Sequence, residues 1–144
     1  MTNNICVFVY GTLKKDGYNH YLLGDYDFLG EATTTELFTM VKLGTFPALL
    51  PYGSTPIIGE CYHVNELVSE QLDMLELPYG YERKAVWVKV HKTGSLLKAR
   101  CYVAGDFLIP KIQSGIEEKH LEVIDSGYWE IETKEESRSA QFRR

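Results

Sequence analysis

Glu76 is the residue whose type and placement point most directly to chemistry. Val68, Leu72 and Leu75 stand at i, i+4 and i+7, the spacing of the core-facing stripe of a helix. Glu76 follows Leu72 by four residues and Val68 by eight, which puts it on the edge of the same stripe. A carboxylate there is half-buried or lines a cavity. Burial without a partner raises its pKa, a cost that sequences tolerate mainly where the group is used. Two plainer fates stay open: Glu76 reaches solvent at the helix end, or pairs with Arg83 or Lys84. Asp73, one turn earlier, points further from the stripe and reads as a structural hydrogen-bonding residue.

The second candidate is the turn Tyr10-Gly11-Thr12-Leu13, which ends an apolar run. Successive backbone N–H groups in a tight turn can form a nest for an anion, although many strands end in an ordinary Gly-Thr turn. In an acidic chain such a nest is one of few ways to hold a carboxylate. Cys6, Cys61 and Cys101 are widely spaced, with no C-x-x-C, and each sits in an apolar or alternating stretch. Small buried hydrophobes fit that pattern better than a thiol nucleophile. Cys61 and His63 would share a strand face and could begin a zinc site, but the four histidines have no metal-ligand spacing, so no metal is expected. There is no Gly-x-Ser-x-Gly elbow and no phosphate-cradling glycine loop.

The elements that must position these residues follow from pattern. Ile5 to Tyr10 is apolar on both faces, as in a strand covered on both sides. Tyr18 to Leu23 suits a short helix ending at Gly24, and Phe28 to Leu43, rich in Thr, suits one long strand or a bent pair. Gly44 to Gly53 is expected to be a loop, too apolar to lie free in water and so packed across something. Ile57 to Val64 reads as a strand, and Asn65 caps a helix from Glu66 to about Leu77, stopped by Pro78. Tyr81 to His91 alternates, with Val86, Val88 and Val90 on one face and Trp87 and Lys89 on the other. Thr93-Gly94-Ser95 turns the chain into a hairpin partner, Leu96 to Val103. Trp87 and Tyr102 are expected to pack on the facing strands, while Arg83 could steady Glu76 or Glu82. Pro110 to about Ile124 reads as helix and Tyr128 to Ile131 as a last short strand. Strands outnumber helices, so the fold class is α+β, a small mixed β-barrel with short flanking helices at its openings.

The chain has 144 residues, suited to one domain over 1–132, followed by a polar and flexible C-terminal tail over 133–144. Fifteen Lys and Arg against twenty Asp and Glu leave a net charge of −5 and no basic stripe for a phosphate backbone, so nucleic acid is not an expected partner. No apolar run approaches the ~20 residues of a membrane span, and the first residues lack signal-peptide features. The expectation is a soluble cytoplasmic domain with no membrane partner.

Four pieces, in register over about residues 5 to 104, resemble the γ-glutamylcyclotransferase-like superfamily, which includes the γ-glutamylamine cyclotransferases and the AIG2-like proteins. Val7-Phe8-Val9-Tyr10-Gly11-Thr12-Leu13-Lys14, with Asn19 following, is similar to its opening strand and loop. Gly44-Thr45-Phe46-Pro47-Ala48 is similar to its glycine-to-proline loop, and Gly59-Glu60-Cys61-Tyr62 to the strand before its helix. Leu72-Asp73-Met74-Leu75-Glu76 and Tyr81-Glu82-Arg83 are similar to its helix end and following strand. Where the family often has Gly or a Cys-Pro segment after the glutamate, this chain has Leu77-Pro78-Tyr79-Gly80.

The resemblance implies a barrel with a pocket at the Tyr-Gly-Thr-Leu loop and makes Glu76 the catalytic residue. It implies intramolecular aminolysis of a γ-glutamyl amine or peptide, giving 5-oxoproline and a free amine, with no cofactor because nucleophile and electrophile share one molecule. Tyr10, Gly11, Thr12, Leu13, Asn19, Phe46 and Tyr81 are the expected substrate-binding residues, with Tyr18 and Tyr79 flanking the same pocket. The expected partner is a small-molecule γ-glutamyl substrate, met by a monomer or weak homodimer. The alternatives are a non-catalytic binding or interaction module on the same fold, and a different enzyme using Cys61 or Cys101.

Overall fold

The computed structural model describes residues 2–131. The tail expected from residue 133 lies outside them. Five strands close into a mixed barrel: β1 (Ile5–Val9), β2 (Asp27–Leu43), β3 (Phe46–Val64), β4 (Tyr81–Val90) and β5 (Leu96–Ala104). β1 lies between β3, antiparallel with Ile5 opposite Val64, and β5, parallel with Val7 opposite Arg100. β5 pairs antiparallel with β4 and β4 with β2; the β2–β3 pairing closes the circle.

Phe8, Phe38, Met40, Leu49, Ile57, Val86, Val88 and Cys101 fill the interior. Outside it, α1 (Glu66–Glu76) lays Val68 and Leu72 against Val7, Val9, Tyr62 and Val64. β1 is therefore buried on both faces, which is why its sequence shows no alternation. Fully burying aliphatic side chains of this size contributes roughly 1.5–3 kcal/mol each. No helix among the described residues is long and apolar enough to cross a membrane.

Four local expectations are corrected. The segment 44–53 is not a loop: Gly44 turns the chain with φ +69°, and Phe46 to Leu50 pair with Leu43 to Thr39 in a hairpin. Leu49 faces the barrel interior while Ala48 and Leu50 face the helix α2 (Ile109–Glu117), so both faces are covered and the strand loses its alternation. The second helix stops at Glu117, not near Ile124. Lys119 takes φ +61° and the His120 N–H returns to the Gly115 carbonyl, which sends Glu122–Val123 to pair with β2 as β6. Tyr128 to Ile131 is not a strand but an irregular segment laid against the barrel, with Trp129 partly buried on its core. The expected short helix near Tyr18 is a 3-10 turn, His20–Leu23, ending at Gly24.

Candidate active site

The barrel presents its first turn where β1 runs out. Tyr10 is buried and its hydroxyl donates to the Tyr102 carbonyl at 2.7 Å, which ties the end of β1 to β5. The Lys14 N–H donates to the Gly11 carbonyl at 3.0 Å and the Gly17 N–H to the Lys14 carbonyl at 2.8 Å. Asn19 clamps the turn twice, its backbone N–H on the Thr12 carbonyl and its Nδ2 on Thr12 Oγ1, both at 3.0 Å. The N–H groups of Gly11, Thr12 and Leu13 have no acceptor among the described residues. Gly11 is required sterically: a Cβ there would lie 2.7 Å from Pro47 Cγ. The β2–β3 hairpin thus backs the turn directly, and Tyr18 Oη lies 3.4 Å from Thr45 Oγ1 across the same junction.

Glu76 closes α1, whose start is set by Asn65 Oδ1 accepting the Val68 N–H at 2.9 Å. The helix then narrows into the 3-10 turn Leu77–Tyr79, and Gly80, at φ +94°, hands the chain to β4. That turn is held from beyond by the Gly105 N–H, which donates to the Gly80 carbonyl at 2.9 Å. The Glu76 side chain is half-buried, and burial raises its pKa above the ordinary carboxylate value. Neither candidate cation reaches it. Arg83 Nη1 lies 2.6 Å from Asp73 Oδ2 and Lys84 Nζ 2.8 Å from Glu36 Oε2. The Arg83 expectation is therefore corrected: the guanidinium steadies Asp73, not Glu76 or Glu82. Among the described residues Glu76 has no ion-pair partner.

The Glu76 charge acts on the phenols of Tyr81 and Tyr10. Burial, and then the Glu76 carboxylate, push the Tyr81 phenol up to about 12. Tyr10 is raised by its burial, with smaller contributions from Cys101, Tyr81 and Glu76. β1 runs parallel to β5, and Tyr81, just after the Glu76 turn, pairs with Ala104 at the end of β5, so the catalytic candidate and the first turn share one end of the barrel. Asp73 behaves as the structural residue expected of it, accepting from Arg83 and, at 2.5 Å, from the Tyr102 hydroxyl.

The remaining candidates separate by exposure. Tyr81 is half-buried where the α1 and α2 clusters meet, and Phe46, 40% exposed, sits beside Pro47 on the strand that backs Gly11. Tyr18 and Tyr79 are 59% and 71% exposed, so they stand at the rim and form no closed wall. Asn19 is spent on Thr12, a support to the turn. Trp87 is corrected too: it faces outward opposite Lys98, while Tyr102 stands opposite Arg83 and turns toward α1.

Cys61 and Cys101 are poorly suited to nucleophilic work. Cys101 is fully buried, its thiol pushed up to about 12 mainly by burial, and Cys61 is raised by its hydrogen bond with Cys6 and by burial. Two supporting residues escaped sequence reading. Tyr102 was expected only to pack across the hairpin, and Lys14, which is buried, was named only as the last residue of the opening segment.

Comparison with known proteins gives the family and the fold. A family model described as gamma-glutamyl cyclotransferase, AIG2-like, matches residues 7–131. A putative gamma-glutamylcyclotransferase of Vibrio cholerae is 38% identical over 81 residues, covering 56% of this chain and 70% of that protein. The mouse gamma-glutamylaminecyclotransferase is 37% identical over 94 residues, 58% of this chain and 63% of the mouse protein. The crystal structure of a mouse AIG2-like protein superposes with a TM-score of 0.63 at 32% identity, over 69% of this chain and 76% of that one.

Proposed function

Because the chain belongs to the gamma-glutamyl cyclotransferase, AIG2-like family, we propose that it converts a γ-glutamyl amine or peptide into 5-oxoproline and a free amine, with Glu76 as the catalytic acid–base. The observation that carries this reading is a half-buried carboxylate, unpaired among the described residues, at the barrel end that also holds the first turn.

The reaction makes three physical demands. The α-amine of the substrate rests protonated, with a reference pKa of ~8, so a base must remove that proton; burial makes Glu76 a better base than an ordinary carboxylate of ~4.3. The flexible glutamyl chain must be folded so that its amine meets its own γ-carbonyl, and such preorganisation can supply ~7–11 kcal/mol. The N–H groups of Gly11, Thr12 and Leu13 hold the α-carboxylate in ground and transition state alike, while Tyr10 shapes the wall. Finally the leaving nitrogen must be protonated as the C–N bond breaks, and Glu76 returns the proton it took. A C–N bond forms, a C–N bond breaks, and no electrons are exchanged with a cofactor.

Phe46 and Tyr81 complete the substrate-binding set, with Asn19 acting through Thr12. The reading places the enzyme in the cytoplasm, where its three free cysteines stay reduced, as a monomer or weak homodimer that binds no nucleic acid. Incubation with a panel of γ-glutamyl amines and peptides tests it: 5-oxoproline and free amine must appear in equal amounts. Intact substrate across the whole panel would overturn the reading.

A further inference from the structure

Lys14 is a buried cation that the proposed reaction does not use. The residue is 2% exposed and directly follows the Gly11–Leu13 turn. Its ammonium donates to the Trp129 carbonyl and lies 3.8 Å from the centre of the Tyr128 ring. A buried ammonium is expensive unless donors and charge are both matched. Here burial pushes the ammonium below the ordinary lysine value, a penalty that the nearby carboxylates of Glu60, Glu31 and Glu130 offset only in part, while a carbonyl and a ring face contact it directly.

The partners belong to a segment with little other anchorage. Between Gly127 and Ile131 no strand pairing occurs; the chain is held by the Ile58 N–H on the Gly127 carbonyl at 2.9 Å and by Trp129 against the barrel core. The backbone of Lys14 is itself a joint of the turn, its N–H closing on Gly11 and its carbonyl taking Gly17. One residue therefore holds the turn through its main chain and the last described segment through its side chain.

We propose that Lys14 is a positioning residue, whose buried ammonium fastens the segment Gly127–Ile131 to the back of the Gly11–Leu13 turn and thereby sets the amides that receive the substrate carboxylate. This rests on the cyclotransferase reading for what the amides bind, but not for the coupling between the two segments. Releasing the segment loosens the turn, which weakens ground-state and transition-state binding alike. Such a loss appears in KM and spares kcat.

The test compares wild type with Lys14→Met, which keeps the length and removes the charge, and with Tyr128→Leu, which removes only the ring at a 43% exposed position. Lys14→Met is expected to raise KM for a γ-glutamyl amine about tenfold with kcat within about threefold. Amide hydrogen exchange should quicken about tenfold at Ile58, which reports the segment, and at Gly17 and Asn19, which report the turn. Tyr128→Leu should shift the same quantities in the same direction by less. The proposal is overturned if KM stays at the wild-type value, if kcat falls while KM holds, or if exchange quickens at Ile58 and not at Gly17 and Asn19. Should Lys14→Met fail to fold, Tyr128→Leu decides by the same criteria. If wild type makes no 5-oxoproline, the functional reading fails, and the exchange measurement alone then decides whether Lys14 couples the two segments.

Discussion

The Tyr102 hydroxyl donates to Asp73 Oδ1 across 2.5 Å, while the Tyr102 carbonyl receives the hydroxyl of Tyr10 at 2.7 Å. One residue of β5 thus links the helix that ends in Glu76 to the strand that ends in the first turn. The two links are separable, because one uses the side chain and the other the main chain.

Tyr102→Phe cuts only the first. Loss of a hydrogen bond to a charged group costs about 1.5–3 kcal/mol, discounted here because Asp73 keeps Arg83 and is partly exposed. We expect a loss of about 1 kcal/mol in urea melts, with kcat/KM within about threefold of wild type. A large activity loss without a matching stability loss would mean that the phenol itself serves the reaction.

Glu76→Gln keeps the shape and removes the base. Turnover should fall by ~10²–10⁴ while a γ-glutamyl ligand still binds near the wild-type affinity, measured by calorimetry beside steady-state kinetics. Near-full activity in this variant is incompatible with the assignment.

The raised pKa of Glu76 also has a stability consequence whose sign is determined. The folded state holds the proton more tightly than the unfolded one. No penalty exists below the ordinary value of ~4.3, where both states are protonated; it grows between that value and the raised one and is full above it. Glu76→Gln, neutral at every pH, should therefore melt higher than wild type at pH 7, with the gain vanishing toward pH ~4. The acid limb of wild-type kcat/KM should lie above the ordinary carboxylate range for the same reason. A gain that is constant with pH would show that ionisation of Glu76 is not its source.

Gly11→Ala tests the contact between turn and hairpin. Its Cβ would lie 2.7 Å from Pro47 Cγ, and the proline ring has little freedom to yield. Overpacking of this kind costs about 1–3 kcal/mol, and displacing the amides should raise KM about tenfold. Unchanged KM would separate these amides from substrate binding.

Much of this architecture was legible in the chain because it is written in local signals. The α1 stripe, its Asn65 cap and the Pro78 stop each depend on a few neighbouring residues. The alternation that set Val86, Val88 and Val90 on one face of β4 matches the structure, where all three are buried. The signals failed where burial was two-sided. Phe46 to Leu50 read as a loop because helix and barrel interior cover opposite faces, leaving no period to detect. The second helix was overextended because its end depends on the chain folding back at Lys119.

The same division runs through the site. By itself the sequence determined that a carboxylate would stand at the edge of a buried helical stripe and that a glycine turn would end a doubly covered strand, since both follow from spacing along one element. Only the tertiary structure decided which charges meet. It gave Arg83 to Asp73 and Lys84 to Glu36, left Glu76 unpaired among the described residues, and buried Lys14 against Tyr128 and Trp129. Those pairings join residues far apart in the chain, and they depend on barrel closure, which no local pattern encodes.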